Sequence, residues 1–558
     1  MRDAVWERGR VPFHTEMINA PYGMDLFPIE PLNGLLAVGL PWVDLVLLAN
    51  MLVWFNLIAT GMAAAWMGGV VSGTRLGAFV SGTLLQGSAI LAFFVHAGVG
   101  ELLHVWWLPL GFGVLCRARE QVHPRWFLAL AFCLVGTMLS GFYLGLFFAM
   151  GVSVWAVTTL PQQTRHGRAK LLVGYVLTAV LSVMVVIPVV QVFSVSYAMG
   201  KVPDVSFWAY LWENHGQPVT DPPSARLALG QLISAGRELV GQQDQAYGGG
   251  RYVGWCALIL VVVGMARRWR VGLPWLCVAV VGIVCAMGTY VTGATGLVTT
   301  SEGLPLRMPM AVLNRALGYW AEPVNFPVRF MALSMVACSA IASLAVATTG
   351  RARWLAILAP LAVIEVSWGQ STEWPWQSLV PRDTQGLSVM EAQEDGAVVD
   401  LSLAIHADHE NRWNALATQI TMGRATQAVP LERVETFARD GHRFVSALPL
   451  VQALAPLYEG QSSEITGTFL SDFALLKDAG FGFLMASYRQ GKNPLPQRFS
   501  EALTKLCGPP VATGQGLAVW RIPAVSATED ERVHWREEHA RRMEQNQDAG
   551  PHMGPQLR

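Results

Sequence analysis

From Leu35 to about Trp368 the chain alternates long apolar windows with short polar breaks. A helix needs about 20 apolar residues to cross a bilayer. Windows of that order lie at 43–66, 77–98, 171–196, 251–266, 272–292, 328–348 and 354–370. Three others, 105–118, 126–140 and 141–158, are short or crowded, and fit either three spans or one deep helix with a re-entrant pair. The pattern predicts an α-helical polytopic membrane domain over 43–372, with about ten helices counting the short or re-entrant ones, and with long loops at 197–250 and 293–327.

Beyond Pro381 the pattern changes. Short apolar strands, AVVDL at 397–401, FGFLMAS at 481–487 and LAVWRI at 517–522, punctuate polar helical stretches. DFALLKDAG at 472–480 reads as a helix stopped by Gly480 and feeding the second strand. A small α/β domain is expected over 380–525. The tail, 526–558, is polar: a solvated helix is expected over TEDERVHWREEHARRMEQ, followed by a disordered Gly/Pro end.

Composition agrees with this division. The chain is 53% hydrophobic and only 14% charged, whereas soluble domains are about a quarter charged. Its formal net charge of +0 argues against nucleic acid as a partner. Six cysteines lie in or beside apolar runs and Cys507 stands alone, with no CxxC pair, so they read as small buried hydrophobes.

Charge sets the sidedness. Arg and Lys occupy the connectors at 72–75, 117–125, 165–170, 267–270 and 351–353, while GVGELLH at 98–104 and SGFY at 140–143 carry none. By the positive-inside rule the basic connectors are cytoplasmic, and the long loops and the C-terminal domain are outside. The same alternation puts HTEMINAPYGMDLFP at 14–28, within an outer loop segment over 1–42, on the outside. Arg2, Arg8 and Arg10 conflict with that side, so an additional upstream helix is expected to belong to this protein's family and to be lacking here; a natural short external tail is the alternative.

Candidate chemistry concentrates at the predicted outer face. Glu101 and His104 stand just before the aromatic run WWLPL at 106–110, and share a face if that segment is helical. A carboxylate in a partly dry cleft can act as a general base, and Glu with His can hold a divalent cation against a phosphate. Headgroup-level anchoring is the competing reading for Glu101, His104, Trp106 and Trp107. Arg307, Arg315 and Arg329 lie in or beside the second outer loop; Arg329 opens a span, where its forked donors can reach a lipid phosphate or simply snorkel to water. The HxxH spacing in HADHE at 406–410 reads as solvated surface before metal site.

Three stretches carry a family resemblance: HTEMINAPYGMDLFPIEPLNGLLAVGLP, GELLHVWWLPLGFGVLCRARE and EPVNFPVRFMALSMVACSAIASLA. They resemble the bacterial multi-pass proteins of the GT-C glycosyltransferase superfamily, in its YfhO-like branch. A similar order follows in the C-terminal part, with GAVVDL, Gln419 to Arg424, the Gly-Phe-x-Phe strand and LAVWRI. The resemblance implies transfer of a sugar from a polyprenyl-phosphate donor to an envelope glycan, lipid or protein, at the outer face of the inner membrane. It also implies an acidic residue in the first outer loop as base or metal ligand. The family's usual acid follows the first transmembrane helix, which is the helix expected to be lacking here. Glu16 and Asp25 lie in the remaining half of that loop. The implied site places Glu16, Asp25 or Glu101 on the acceptor hydroxyl and Arg329, Arg307 and His104 around the lipid phosphate; the metal requirement is left open. A transporter or flippase-like protein for lipid-linked substrates is a rival reading, though transporters tend to place charges near the midplane. A catalytically inactive envelope scaffold is another.

Overall fold

A computed structural model describes residues 14–15, 20–22, 24–25, 31–96, 100–198, 232–233, 250–293, 296–301, 306–317, 327–347, 351–369, 390, 396–405, 422, 424–427, 440–461, 465, 467–487, 495–514 and 516–548. The chain forms two compact units; the described residues 14–25 fall with the C-terminal one.

The first unit is helical. In chain order it contains α1 (Pro31–Gly39), α2 (Leu45–Ser72), α3 (Arg75–Gln86), α4 (Ala89–His96), a 3-10 segment Gly100–Trp106, α5 (Trp107–Glu120), α6 (Pro124–Ser140), α7 (Phe142–Thr159) and α8 (Arg165–Ala198). Then come α9 (Trp255–Ala286), the short paired strands β3 (Thr292–Gly293) and β4 (Gly296–Leu297), α10 (Pro309–Leu317), the 3-10 turn Pro327–Phe330, α11 (Met331–Ala345), the 3-10 segment Arg351–Ile357 and α12 (Leu358–Gly369). Among the described residues five helical stretches are long and apolar enough to cross a membrane; α3 with α4, bent by 45°, is either a sixth, broken span or a re-entrant loop. This is a membrane protein.

Local chemistry sets the helix ends. The Leu47 N–H donates to Asp44 Oδ1 at 2.9 Å, satisfying an orphan donor at the start of α2. Thr74 does the same for α3, accepting from the Gly77 N–H at 3.0 Å. Pro124 opens α6, where its missing N–H costs nothing. Between α6 and α7 the chain turns back at Gly141: a Cβ on Gly145 would strike Met138 Sδ at 2.3 Å, so the two helices form an antiparallel hairpin.

α11 is the axis of the bundle. All fifteen of its residues are buried, and they are mostly Ala, Ser and other compact side chains, which let neighbouring backbones approach closely. α9 wraps it. Arg268 leaves helical geometry (φ −137°, ψ 50°), and the contacts on its two sides run in opposite directions. Gly264 touches Ile341 and the Arg267 guanidinium donates to the Ala345 carbonyl at 2.5 Å, so this arm ascends α11. Beyond the break, Gly272 lies near Leu344, Ser334 Oγ donates to the Ala279 carbonyl at 3.0 Å, and Gly282 reaches Phe330, so the second arm descends. A straight helix cannot reverse its partners in this way. α9 is therefore a helical hairpin folded at Arg268, in agreement with separate windows at 251–266 and 272–292.

The same logic orders the bundle. α2 and α3 are antiparallel, with Gly68 against Ser81 and Gly61 against Gln86. Arg119 Nη2 donates to Gln162 Oε1 at 2.8 Å, joining the end of α5 to the end of α7. Trp107 Nε1 donates to Ser140 Oγ at 3.0 Å, joining the start of α5 to the end of α6. One end of the bundle thus gathers the turns at 73–74, 121–123, 160–164, 268 and 346–347, beside which the arginines lie; the other gathers 40–44, 100–106, 141, 250–254 and 327–330.

The second unit contains a four-stranded sheet ordered β5-β6-β8-β7, from β5 (Ala397–Asp400), β6 (Phe481–Ser487), β7 (Ala512–Gly514) and β8 (Leu517–Arg521). β5 and β6 are parallel and the other pairings antiparallel. Every residue of β6 is buried, as expected of a central strand covered on both faces. Its helices are α13 (Leu401–Ile405), α14 (Asp440–Ser446), α15 (Pro449–Tyr458), α16 (Leu470–Asp478), α17 (Gln497–Cys507) and α18 (Glu529–Asp548). Gly480, at φ 83°, turns the chain from α16 into β6, a conformation that favours glycine. Within the opening stretch, β1 (His14–Thr15) pairs antiparallel with β2 (Met24–Asp25). The Ala20 N–H donates to the Thr426 carbonyl at 3.0 Å, and Ala20 joins the core of this unit. The tail helix α18 is not merely solvated: Arg532 and Arg536 both bind Asp478, and His539 is 3% exposed.

Candidate functional site

The described end of the first unit that lacks the arginine connectors carries three buried ionisable side chains, His104, Arg251 and Arg329. His104 closes the 3-10 segment Gly100–Trp106 and is 2% exposed. Among the described residues neither ring nitrogen has a hydrogen-bond partner. Burial in this turn pushes the imidazole down to about 4, so it is neutral at pH 7, with one N–H to donate and one lone pair to offer. A simple headgroup anchor would keep its polar edge wet. Glu101 lies three residues earlier in the same 3-10 segment, where residues three apart come into register along the axis. Its side chain lies outside the described set.

Arg329 sits in the turn Pro327–Phe330 and is 6% exposed, with its guanidinium 4.6 Å from the centroid of the Tyr143 ring. A snorkelling arginine would extend its head to water. This one stays in the bundle, braced on an aromatic face at the start of α7, while Phe330 packs on Phe147 with ring centroids 4.2 Å apart. The 3-10 segment that carries His104 packs on α7 as well, so one helix supports both groups.

Next to His104, Trp106 and Trp107 stack with centroids 3.9 Å apart. Trp106 Nε1 donates to Asn56 Oδ1 at 2.9 Å, and Trp107 is tied to Ser140. Both indoles are therefore fixed from neighbouring helices.

Arg307 is exposed and forms an antiparallel bridge with Tyr290. Asp25 lies in β2, opposite His14, in the second unit. Glu16 and the HxxH stretch at 406–410 lie outside the described residues. Among the described residues there is no cluster of three or more His, Cys, Asp and Glu side chains that could hold a metal ion.

One ionisable group was not singled out by sequence reasoning. Glu365, in α12, accepts hydrogen bonds from the backbone N–H groups of Trp255 (2.8 Å) and Cys256 (3.0 Å) and from the Tyr252 hydroxyl. The carboxylate caps the first turn of α9 from another helix, meeting two orphan donors and the positive end of the helix dipole. A lone acid within the apolar run APLAVIEVSWG was the available signal.

No family model matches the chain, and no curated protein matches its sequence.

Proposed function

We propose that the chain is a glycosyltransferase-like membrane protein that moves a sugar from a polyprenyl-phosphate donor to an envelope acceptor at the outer face of a bacterial inner membrane. The second unit would lie on the extracytoplasmic side. The reading rests on the sequence resemblance, and one observation carries its site: Arg329, buried at the end of the bundle away from the basic connectors and braced on Tyr143. A fixed guanidinium suits a phosphate because it presents forked donors without first having to be ordered. His104, neutral and without a hydrogen-bond partner among the described residues, supplies an N–H for a phosphoryl oxygen or a lone pair for an acceptor hydroxyl.

In this scheme the phosphate rests on Arg329, the sugar projects toward the 3-10 segment, and the Glu101 carboxylate takes the proton of the acceptor hydroxyl as the acceptor oxygen displaces the polyprenyl phosphate from the sugar. Positioning and charge stabilisation in a water-poor end of the bundle do most of the work.

Binding tests this directly. Full-length protein in nanodiscs, titrated with a photoactivatable polyprenyl phosphate, should label at the Arg329 end, and Arg329→Gln should weaken labelling by about tenfold, the loss expected for a charge-assisted contact. Unchanged labelling in that variant would remove Arg329 from the site.

A further inference from the structure

The arginine-bearing end of the bundle has a chemistry of its own. Among the described residues its connectors and adjoining helix turns hold Arg and Lys from six separate segments, at 75, 117–119, 125, 165–170, 267–270 and 353. Glu120 is the only described carboxylate there, and it is already paired with Arg117 at 2.9 Å. The opposite end is far closer to balance, with Asp44, Glu101 and Glu365 against Arg251, Arg307, Arg315 and Arg329.

Some of these cations are committed. Arg168 donates to the carbonyls of Gln163 and Pro161, Arg119 to Gln162, and Arg267 to Ala345. These bonds brace the connectors. Arg75, Arg165, Lys170, Arg270 and Arg353 are exposed and make no ion pair among the described residues.

Aromatic rings stand beside them. Arg125 lies over Trp126 at 5.0 Å and Arg270 over Trp269 at 5.6 Å. Trp269 is 56% exposed and Trp354, next to Arg353, is 79% exposed. Exposed indoles beside uncommitted cations, at the ends of apolar helices, mark the depth at which lipid headgroups lie.

We propose that this end is a selective docking surface for anionic phospholipid headgroups, which sit against Arg75, Arg165, Lys170, Arg270 and Arg353 with the exposed tryptophans at the acyl boundary. Excess positive charge with almost no counter-carboxylate attracts an anionic leaflet, and its attraction decays within a Debye length. Neutral headgroups would gain nothing from it. The inference rests on charge and exposure alone and is independent of the enzymatic reading.

The test uses the full-length protein reconstituted in bilayers of equal phosphatidylcholine and phosphatidylglycerol, with retained lipids counted by native mass spectrometry. Phosphatidylglycerol should be enriched about fivefold over phosphatidylcholine, on the scale expected for basic residues at an anionic surface. The quadruple variant R165Q/K170Q/R270Q/R353Q should fall to the bulk ratio, while Arg498→Gln, an exposed cation on α17 of the second unit, should keep the enrichment. Because four substitutions can perturb folding, the wild-type protein supplies a second readout: reconstitution in rising salt should erode the enrichment. No enrichment in the wild type, enrichment that survives the quadruple substitution, or indifference to salt would each overturn the proposal.

Discussion

The guanidinium of Arg329 lies 4.6 Å from the centroid of the Tyr143 ring, although 186 residues separate them along the chain (329 − 143). That contact fixes a buried cation at one end of a bundle whose other end holds the basic connectors. It predicts a graded response. Tyr143→Phe keeps the aromatic face and should retain most polyprenyl-phosphate binding, whereas Tyr143→Ala removes a cation–π contact worth about 1–2 kcal/mol and should weaken binding about tenfold. Titration of the two variants checks this.

Glu365 should matter more for stability than its single charge implies. Glu365→Ala abandons the helix start of α9 and should cost about 2 kcal/mol, the scale of hydrogen bonds to a charged group. Glu365→Gln retains an acceptor and should lose less. Thermal unfolding in detergent, compared across the two variants, measures the difference.

Close packing on α11 gives a steric prediction. A Cβ on Gly264 would fall 2.2 Å from the Ile341 carbonyl oxygen, a backbone atom that cannot swing aside. Gly264→Ala should therefore destabilise the bundle by about 1–3 kcal/mol, despite alanine's better helix propensity. A variant as stable as the parent would show that the arm containing Gly264 does not pack as described.

In the second unit, the tail helix should loosen in acid. His539 is buried against Phe444, with ring centroids 4.7 Å apart, and burial followed by the nearby Arg542 holds its pKa below the ordinary 6.5. Glu538 on the same helix and Asp472 on α16 are the carboxylates close to this cluster, with His442 and Arg443 on α14. Because the unfolded form binds the proton more readily, docking is at full strength above about pH 6.5 and weakens as pH falls through and below that value. Hydrogen exchange of 529–548 should rise over that window, and His539→Phe should flatten the response.

Much of this fold was legible because membrane physics leaves few options. Long apolar windows and alternating basic connectors located most of the helices, and RRWR marked the fold-back at Arg268 although the helix runs almost continuously through it. The short windows at 126–140 and 141–158 became a hairpin because Gly141 breaks the helix between them, which length alone could not decide. Glu365 escaped notice because its partners lie more than a hundred residues earlier in the chain. The link between Ala20 and Thr426 is a backbone bond, with no side-chain signature to read. Of the candidate residues, Arg329 and His104 occupy the same end of one bundle; their burial, and the bracing role of Tyr143, required the packed structure.

Sugar transfer in proteoliposomes is the most direct measurement of the central claim. Full-length protein supplied with a radiolabelled polyprenyl-phosphate sugar and envelope extract as acceptor should release the sugar into acceptor material. Arg329→Gln and His104→Ala should each lower the rate by at least about a hundredfold, as loss of a positioned charge or proton-transfer group does. Absence of transfer by the wild-type protein, or full activity in both variants, would contradict it.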